Sequence, residues 1–333
     1  MGSSSALAEP DFVRTSRARV EADLLASVQV ADAFLTEVSS HLMAAGGKRI
    51  RPLFAVASAV AGSTEPQVSD DAVRGGVAVE LVHLGSLYHD DVIDEAVTRR
   101  TVESVNARWG NLTAILAGDF LLAKASEIAA SLGTEVAALL AATIGRLCEG
   151  EVGELRSAYD VARTEAAYLH SIKGKTASLF ATACRIGALV GGLPRSDVDA
   201  LTEYGEAYGI AFQIVDDVLD VVASEAELGK PAGHDLVEGV YTLPVLRALD
   251  TPGGLRERLG RPLDDRQLLE ALSLVRADGA VDAALDTARG YAQHAQQVLA
   301  PLGHNPATAW LADATDALFA RVEAIRPSAG TTG

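Results

Sequence analysis

The sequence predicts an all-α fold, and three features of the chain support this prediction. Segments rich in Ala, Leu and Glu carry apolar residues at a period of about 3.6, as in residues 19–45, 134–158 and 265–277. The sequence shows neither the strict alternation of a half-buried strand nor a repeat of solenoid length. Hydrophobic residues make up 49% of the 333 residues, so the chain can bury a sizeable core.

Short breaks rich in Gly, Pro or Ser separate the predicted helices. They fall at residues 46–47, 61–67, 191–196, 228–235, 250–254 and 301–306. None of them is long enough to serve as a flexible linker between domains. We therefore expect one helical domain over residues 16–326, with a disordered segment at 1–15 and a flexible tail at 327–333.

Composition and charge narrow the classes of function. The formal net charge of -17 argues against a nucleic-acid partner, because phosphates attract basic surfaces. Charged residues interrupt the apolar runs before they reach the roughly 18 residues that a transmembrane helix needs. The first residues lack the pattern of a signal peptide. We expect a cytoplasmic protein without a transmembrane segment.

Two acidic turns are the most informative feature of the chain. The stretches "HDDVID" and "VDDVLD" supply Asp90, Asp91, Asp94, Asp216, Asp217 and Asp220. On a helix, residues three or four apart share one face, so each turn gathers its carboxylates. At an effective dielectric of about 20, two like charges about 4 Å apart repel by about 4 kcal/mol. Such a turn is tolerable only in water or with bound cations.

A solvated face or a helix start is the simpler interpretation, and Asp70 and Asp264 illustrate it, since each opens an acidic pair at a predicted helix start. The two acidic turns differ because apolar residues precede and interleave them, which predicts mid-helix positions in mostly buried surroundings. Clustered oxygen ligands there suit Mg²⁺, which fills its remaining positions with water or substrate phosphate. Two opposed acidic turns would clamp a metal-bound diphosphate.

Basic residues supply the complementary charge. In "GGKRIRP", a glycine pair and Pro52 flank Lys48 and Arg51 at a predicted helix start, which is a suitable place for an anion. Further candidates are Arg99 and Arg100, two turns beyond the first acidic turn; His83, two turns before it; and Lys173, Lys175 and Lys230 in "KGKTASL" and "LGKPAGHD". Each motif alone is more often plain surface charge or a structural histidine. Together they indicate a diphosphate site.

These motifs occur in one order between residues 46 and 245. The ordered set "GGKRIRP", "ELVHLGSLYHDDVIDEAVTRR", "KGKTASL", "FQIVDDVLD" and "LGKPAGHDLVEGVYTLP" resembles the trans-isoprenyl diphosphate synthases, or polyprenyl synthetases. The resemblance implies a bundle of long helices around a deep central cavity, a homodimer, and Mg²⁺ as cofactor. It also implies that the two acidic turns face each other across the mouth of the cavity.

The resemblance assigns roles to individual residues. Asp90, Asp91, Asp94, Asp216, Asp217 and Asp220 would hold Mg²⁺ on an allylic diphosphate. Arg99, Lys175 and Lys230 would contact that diphosphate; Lys48, Arg51, His83 and Arg100 would hold isopentenyl diphosphate; and Thr176 and Gln213 would lie beside the developing allylic cation. One departure is Val240, where many members carry a lysine; it removes one possible diphosphate contact.

The expected reaction joins isopentenyl diphosphate to farnesyl or geranylgeranyl diphosphate and yields a trans-polyprenyl diphosphate. Gly85 and Ser86 stand about one turn below Asp90, where a bulky residue blocks the pocket in short-chain members. Their small side chains predict a product longer than geranylgeranyl diphosphate. The same small residues would also suit close helix packing, which leaves a geranylgeranyl diphosphate synthase as the alternative.

Two other classes of protein remain open. A terpene cyclase also ionises a diphosphate, but it normally steers cations with aromatic walls, and aromatic residues form only 5% of this chain. A non-catalytic regulatory subunit of a heteromeric synthase would keep the helical fold and could lose its acids. This chain keeps all six aspartates.

Overall fold

The computed structural model describes residues 9–223, 232–251, 254–277 and 279–325. The helices are α1 (Asp11–Ser27), α2 (Ala33–Ala44), α3 (Ile50–Ala59), α4 (Asp70–Ile93), α5 (Val105–Trp109), α6 (Asn111–Ser131), α7 (Thr134–Leu155), α8 (Glu165–Ile172), α9 (Ser178–Val190), α10 (Arg195–Val222), α11 (His234–Glu238), α12 (Leu243–Leu249), α13 (Leu255–Arg258), α14 (Asp265–Arg276), α15 (Ala280–Leu299) and α16 (Pro306–Ile325). A π-helical turn (Lys173–Ala177) joins α8 to α9, and a short 3₁₀ turn (Ala300–Leu302) follows α15. The all-α prediction is confirmed.

The N-terminal part of the chain differs from its prediction in two places. Helix α1 begins at Asp11, so the prediction of disorder is wrong for residues 11–15. The reason is that Phe12 and Val13 are buried apolar side chains that anchor the helix. The long periodic segment at 19–45 forms two helices, because Asp32 caps α2 by accepting a 2.9 Å hydrogen bond from the backbone N–H of Leu35.

The chain divides into two compact units. The first comprises Met1–Ile144, Leu179–Gly205 and Leu299–Leu311, and the second comprises Gly145–Ser178, Glu206–Val298 and Ala312–Gly333. The single domain over residues 16–326 and its central cavity stay predictions. No helix in the part of the chain that the structure describes has both the length and the apolarity required to cross a bilayer.

In the first unit, α4 packs against α1, α3 and α6. An aromatic cluster lies nearby, in which the ring of Phe54 contacts those of Phe180, Tyr204 and Trp310 at centroid distances of 5.6–5.7 Å. Helix α9 passes close to α3, since a Cβ at Gly187 would lie 1.9 Å from the backbone oxygen of Ala55. The unit therefore holds α3 and α4, which carry the first motifs, on a tightly packed core.

In the second unit, the core is built around the C-terminal half of α10. Ile214, Val218 and Val221 of α10 are buried in one cluster with Leu243 of α12 and Ala288 of α15. The apolar residues that interleave the second acidic turn are thus core residues, as their spacing predicts. They fix the orientation of the helix on which that turn lies.

A short hairpin follows the first acidic turn. Strands β1 (Thr98–Arg99) and β2 (Val102–Glu103) pair antiparallel, and the two residues between them, Arg100 and Thr101, have φ angles of 52° and 67°. Positive φ at both residues is typical of a tight hairpin turn. The placement of Arg99 and Arg100 two helical turns beyond the acids is wrong, because α4 ends at Ile93 and the chain reverses.

Candidate functional site

Both acidic turns lie at the C-terminal ends of long helices. Asp94 is the C-cap of α4, and Asp216, Asp217 and Asp220 occupy the last two turns of α10. The mid-helix prediction is therefore wrong for both turns. Because the C-terminus of a helix carries partial negative charge, carboxylates there are disfavoured unless a cation is present. The position of the acids at helix ends therefore increases the need for a cation beyond what their three- and four-residue spacing indicates.

Asp91 is the buried member of the first acidic turn, whereas Asp94 is exposed. Its Oδ1 accepts a 2.6 Å hydrogen bond from Nε of Arg99 and lies 2.6 Å from Nη2 of the same ion-paired guanidinium. Burial raises the pKa of Asp91, and Arg99 opposes that shift. Oδ2 is also buried and has no hydrogen-bond partner among the described residues. A buried carboxylate oxygen of this kind fits a metal ion.

Asn106 of α5 secures the end of α4. Its Nδ2 donates hydrogen bonds to the backbone oxygens of Asp91 (2.9 Å) and Ala96 (3.0 Å). The hydroxyl of Ser104 donates to the same oxygen of Ala96 at 2.5 Å. Asn106 therefore ties the carbonyl of Asp91, in the last turn of α4, to the loop that follows the helix. Sequence reasoning missed both residues, since an isolated Asn or Ser carries no signal of its own.

Three of the four residues predicted to bind isopentenyl diphosphate, Arg51, His83 and Arg100, interact electrostatically. Burial lowers the pKa of His83, and the charges of Arg51 and Arg100, followed by Arg49 and Arg99, lower it further. His83 is therefore a neutral imidazole amid guanidinium groups.

Two of these basic side chains have contrasting surroundings. The guanidinium carbon of Arg51 lies 4.5 Å from the ring centroid of Phe180 on α9. Lys48, three residues earlier, is exposed. The basic motif thus places one cation on an aromatic face and another in solvent.

Arg49 is an additional cation that the sequence analysis did not select. Its side chain is 0% exposed and contacts Glu21 of α1 and Glu80 of α4 at 2.8 Å and 3.0 Å. Burial raises the pKa of Glu80, while Arg49 and Arg51 oppose that shift. The motif "GGKR" gives no indication of these partners, because they come from helices 28 and 31 residues away in the chain.

Hydrogen bonds connect the second acidic turn to the π-helical turn. The hydroxyl of Thr176 donates to Oε1 of Gln213 at 2.7 Å, and Nε2 of Gln213 donates to Oδ1 of Asp217 at 2.8 Å. Tyr168 of α8 donates its hydroxyl to Oδ2 of Asp217 at 2.5 Å. Burial raises the pKa of Asp217 to about 7, although both donors oppose that shift. This network contains two predicted substrate-binding residues and one predicted metal ligand.

The other two acids of this turn have different surroundings. Asp216 is exposed, whereas Asp220 is 4% exposed. Oδ2 of Asp220 accepts a 3.2 Å hydrogen bond from the backbone N–H of Asp235. The turn therefore combines one solvent-accessible carboxylate with two that the second unit holds in place.

Lys175 is held by two glutamates of α7. Its Nζ lies 2.6 Å from Glu154 and 2.8 Å from Glu151. Burial lowers the pKa of Lys175, but the two carboxylates outweigh it and raise the pKa above its usual value. A Cβ at Gly174 would lie 3.0 Å from Cα of Gly150, so the backbones of the π-helical turn and α7 are in close contact. π-Helical turns of this type are often found at functional sites.

The two predicted chain-length residues lie on α4. A Cβ at Gly85 would lie 3.1 Å from the backbone oxygen of Gly118 and 3.2 Å from the side chain of Leu122, both on α6. The hydroxyl of Ser86 donates to the backbone oxygen of His83 at 2.9 Å. Helix packing therefore gives its own reason for the small size of residue 85, and the role of both residues in product length stays a prediction.

Lys230 lies outside the described residues. Among the residues that are described, no three His, Cys, Asp or Glu side chains converge closely enough to hold a metal ion by themselves. Mg²⁺ commonly takes one or two carboxylates and completes its shell with water and substrate phosphate. The donor set of each acidic turn is compatible with that mode of binding.

Comparisons with a family model and with individual known proteins identify the same family. Residues 32–274 match the polyprenyl synthetase family. The chain is 41% identical over 314 residues to the nonaprenyl diphosphate synthase of Mycobacterium tuberculosis, covering 93% of each protein.

Solved structures give the same result. A decaprenyl diphosphate synthase from Rhodobacter capsulatus is similar with a TM-score of 0.87 and 35% identity, over 94% of this chain and 97% of that one. A polyprenyl synthase from Caulobacter crescentus, complexed with calcium and isoprenyl diphosphate, has a TM-score of 0.86 and 35% identity, over 93% and 95%. These structural neighbours have the all-α isoprenoid synthase fold.

Replacing Asp217 with Asn is expected to reduce the pH dependence of stability in the metal-free protein. The pKa of Asp217 in the folded chain, about 7, lies above its ordinary value. The group therefore favours folding at low pH, and this contribution is lost as the pH rises through about 7. Asparagine has no charge to bury, so D217N should melt at a higher temperature than the wild type at pH 8. Its free energy of unfolding should exceed that of the wild type by at most about 4 kcal/mol.

Thermal unfolding in a chelator at pH 5 and pH 8 measures this effect. The control is D286N, because Asp286 is 74% exposed on α15. The explanation fails if the wild type and D217N lose the same stability between the two pH values.

Proposed function

Since this chain belongs to the polyprenyl synthetase family, we propose that it condenses isopentenyl diphosphate with an allylic diphosphate to make a trans-polyprenyl diphosphate longer than geranylgeranyl diphosphate. The observation that carries the proposal is the pairing of Asp91 with Arg99, which leaves a buried carboxylate oxygen for a cation beside a cluster of arginines. Farnesyl or geranylgeranyl diphosphate is the proposed primer. The nonaprenyl and decaprenyl synthases among its relatives support the product length.

The proposed cofactor is Mg²⁺. It would be held by the aspartates of the two acidic turns: Asp90, Asp91, Asp94, Asp216, Asp217 and Asp220. When bound, it would neutralise the negative charge of the diphosphate leaving group. The buried Oδ2 of Asp91 and the net charge of -17 support this role, since an acidic chain needs a cation to retain an anionic substrate.

Basic residues would bind the diphosphate groups directly. For the allylic diphosphate we propose Arg99, Lys175 and Lys230; for isopentenyl diphosphate we propose Lys48, Arg51, His83 and Arg100. A neutral His83 can donate a hydrogen bond to a phosphate oxygen without adding a charge to the crowded arginines. Lys175 would exchange some of its contact with Glu151 and Glu154 for the substrate.

Thr176 and Gln213 are proposed to stabilise the allylic cation. The hydrogen bond from Gln213 to Asp217 orients the amide, so that its oxygen points to Thr176. That oxygen retains a lone pair, and the threonine hydroxyl oxygen has two. Fixed oxygen dipoles of this kind stabilise positive charge in a site that excludes water.

The reaction then proceeds in three steps. The allylic C–O bond breaks, and its electron pair leaves with the diphosphate. The double bond of isopentenyl diphosphate forms a new C–C bond to the cation. The resulting cation loses a proton, for which the released diphosphate is the proposed acceptor, and the product is again an allylic diphosphate, one isoprene unit longer.

Incubating the purified chain with Mg²⁺, isopentenyl diphosphate and farnesyl diphosphate tests the proposal. We expect diphosphate products longer than geranylgeranyl diphosphate, and at least about a hundredfold lower turnover for Asp90→Ala or Asp216→Ala. Hydrocarbon products would indicate a terpene cyclase instead. Turnover that requires a second protein would indicate a subunit of a heteromeric synthase.

We propose that the chain forms a homodimer through α6. Leu112, Ile115 and Leu116 follow one face of this helix and are 72%, 41% and 58% exposed. Adjacent exposed apolar side chains of this kind favour a protein partner, and burying them in a second copy removes them from water.

Light scattering should give the mass of two chains for the wild type and for L269E, in which an isolated exposed leucine of α14 is replaced. L112E/L116E should give one chain, and a monomeric wild type would contradict the proposal.

Replacing Ser86 with Phe should shorten the product by at least one isoprene unit. The reason is that residue 86 lies about one turn, or about 5 Å, below the first acidic turn on α4. Chromatography of the products measures the change, and S273F, at an exposed position of α14, serves as the control. An unchanged product length in an active S86F enzyme would contradict this placement.

A further inference from the structure

Helix α1 contacts two consecutive residues of the basic turn, which we define as residues 46–51. Glu21 accepts hydrogen bonds from Arg49, at 2.8 Å from Nε to Oε1 and at 3.2 Å from Nη2 to Oε2. Arg17 donates a hydrogen bond from Nη1 to the backbone oxygen of Lys48. Arg17 and Glu21 are four residues apart and therefore share one face of α1.

Arg49 has an unusual backbone conformation. Its φ and ψ angles of 50° and 36° are left-handed, at the N-cap of α3. A non-glycine residue occupies this region only when its surroundings hold it there. Here the guanidinium also contacts Glu80 at 3.0 Å and the backbone oxygen of Met43 at 3.0 Å. A bidentate Arg–carboxylate pair fixes direction as well as distance, and Glu21 supplies it.

Two guanidinium groups enclose the glycines of the basic turn. A Cβ at Gly47 would lie 2.8 Å from Nη1 of Arg49 and 2.9 Å from Nη1 of Arg100. Arg100 donates hydrogen bonds to the backbone oxygens of Gly46 and Leu42. Arg49 and Arg100 therefore position the backbone that carries the basic side chains of this turn. Arg49 is in turn hydrogen-bonded to Glu21 of α1.

We propose that Arg17 and Glu21 of α1 are positioning residues for the diphosphate site, acting on Lys48 and Arg51 through the basic turn. The inference rests on the proposed function, because it assigns the basic turn to isopentenyl diphosphate. Neither residue is proposed to touch the substrate. Their effect is to keep the two cations in place before the substrate arrives, which lowers the cost of ordering them on binding.

The position of Glu21 allows its role to be separated from folding. Glu21 is 37% exposed, and Arg49 keeps Glu80 as a carboxylate partner when the charge of Glu21 is removed. Glu21→Gln therefore leaves no buried arginine without an ion pair. We expect the variant to fold, with the basic turn less firmly held.

Steady-state kinetics of E21Q and R17A test the inference. Each variant should raise the KM for isopentenyl diphosphate about fivefold or more, while kcat and the KM for farnesyl diphosphate stay within about twofold of the wild type. R14A is the matched control on α1, since Arg14 is 67% exposed and its partner Asp11 is 89% exposed. It should behave as the wild type.

A double-mutant cycle shows whether Glu21 acts through Arg49. R49K keeps the charge but cannot make the bidentate contact, so E21Q/R49K should raise the KM for isopentenyl diphosphate no further than R49K alone. Additive effects would contradict the coupling. Wild-type kinetics in E21Q and R17A, or equal KM increases for both substrates, would overturn the inference.

The proposed function fails separately from this inference. A wild-type chain that does not elongate farnesyl diphosphate refutes the function, whatever the variants do. A wild-type chain that elongates normally, with E21Q indistinguishable from R14A, refutes only the role of α1. Thermal unfolding of each variant identifies any loss of activity that comes from unfolding.

Discussion

Carboxylates accumulate at the negative end of a helix in this structure, and this constraint governs the surroundings of both acidic turns. It occurs twice, at the end of α4 and at the end of α10. In each case at least one aspartate is buried, so water cannot fully screen the repulsion. Such an arrangement is costly for a helix and has a chemical purpose only when a cation is bound.

The two units stabilise their buried aspartates by different means. Asp91 is paired with a cation, Arg99, which occupies one of its oxygens and leaves the other without a partner among the described residues. Asp217 receives neutral donors, the hydroxyl of Tyr168 and the amide of Gln213. Neutral donors compensate burial less well, so the pKa of Asp217 is raised to about 7. The buried aspartate of the first unit thus has a cationic partner, whereas that of the second unit has neutral hydrogen-bond donors.

The sequence predicted the helices and the residue types of the site better than it predicted their contacts. The acidic turns stand out by their chemistry, because carboxylates among apolar residues are unusual locally. The basic turn and "KGKT" are indicative only in combination with them, and the roles of their individual residues come from the family resemblance. The hairpin at Arg99 was missed, since its turn residues, Arg100 and Thr101, lack the Gly or Asn that marks such turns. The ends of α4 and α10 were also misplaced. Apolar residues continue up to Ile93 and beyond Asp220, and this pattern predicts that the acidic turns lie in the middle of their helices.

Contacts between distant segments could not be predicted in the same way. Periodicity shows which face of a helix is buried, but not which residue of another helix lies opposite. Glu21 and Arg49, or Lys175 and Glu154, become partners only through the packing of their helices. These are the contacts that orient the charges of the site.

A metal-binding role of the acidic turns predicts that diphosphate binding depends on Mg²⁺. Calorimetric titration of the purified chain with inorganic diphosphate, at increasing Mg²⁺ and in a chelator, measures the coupling between the two ligands. By linkage, the affinity for diphosphate should rise with Mg²⁺ and fall to the detection limit in the chelator. Equal affinity with and without Mg²⁺ would contradict a metal-binding role of the acidic turns, because they would then have no part in holding the anion.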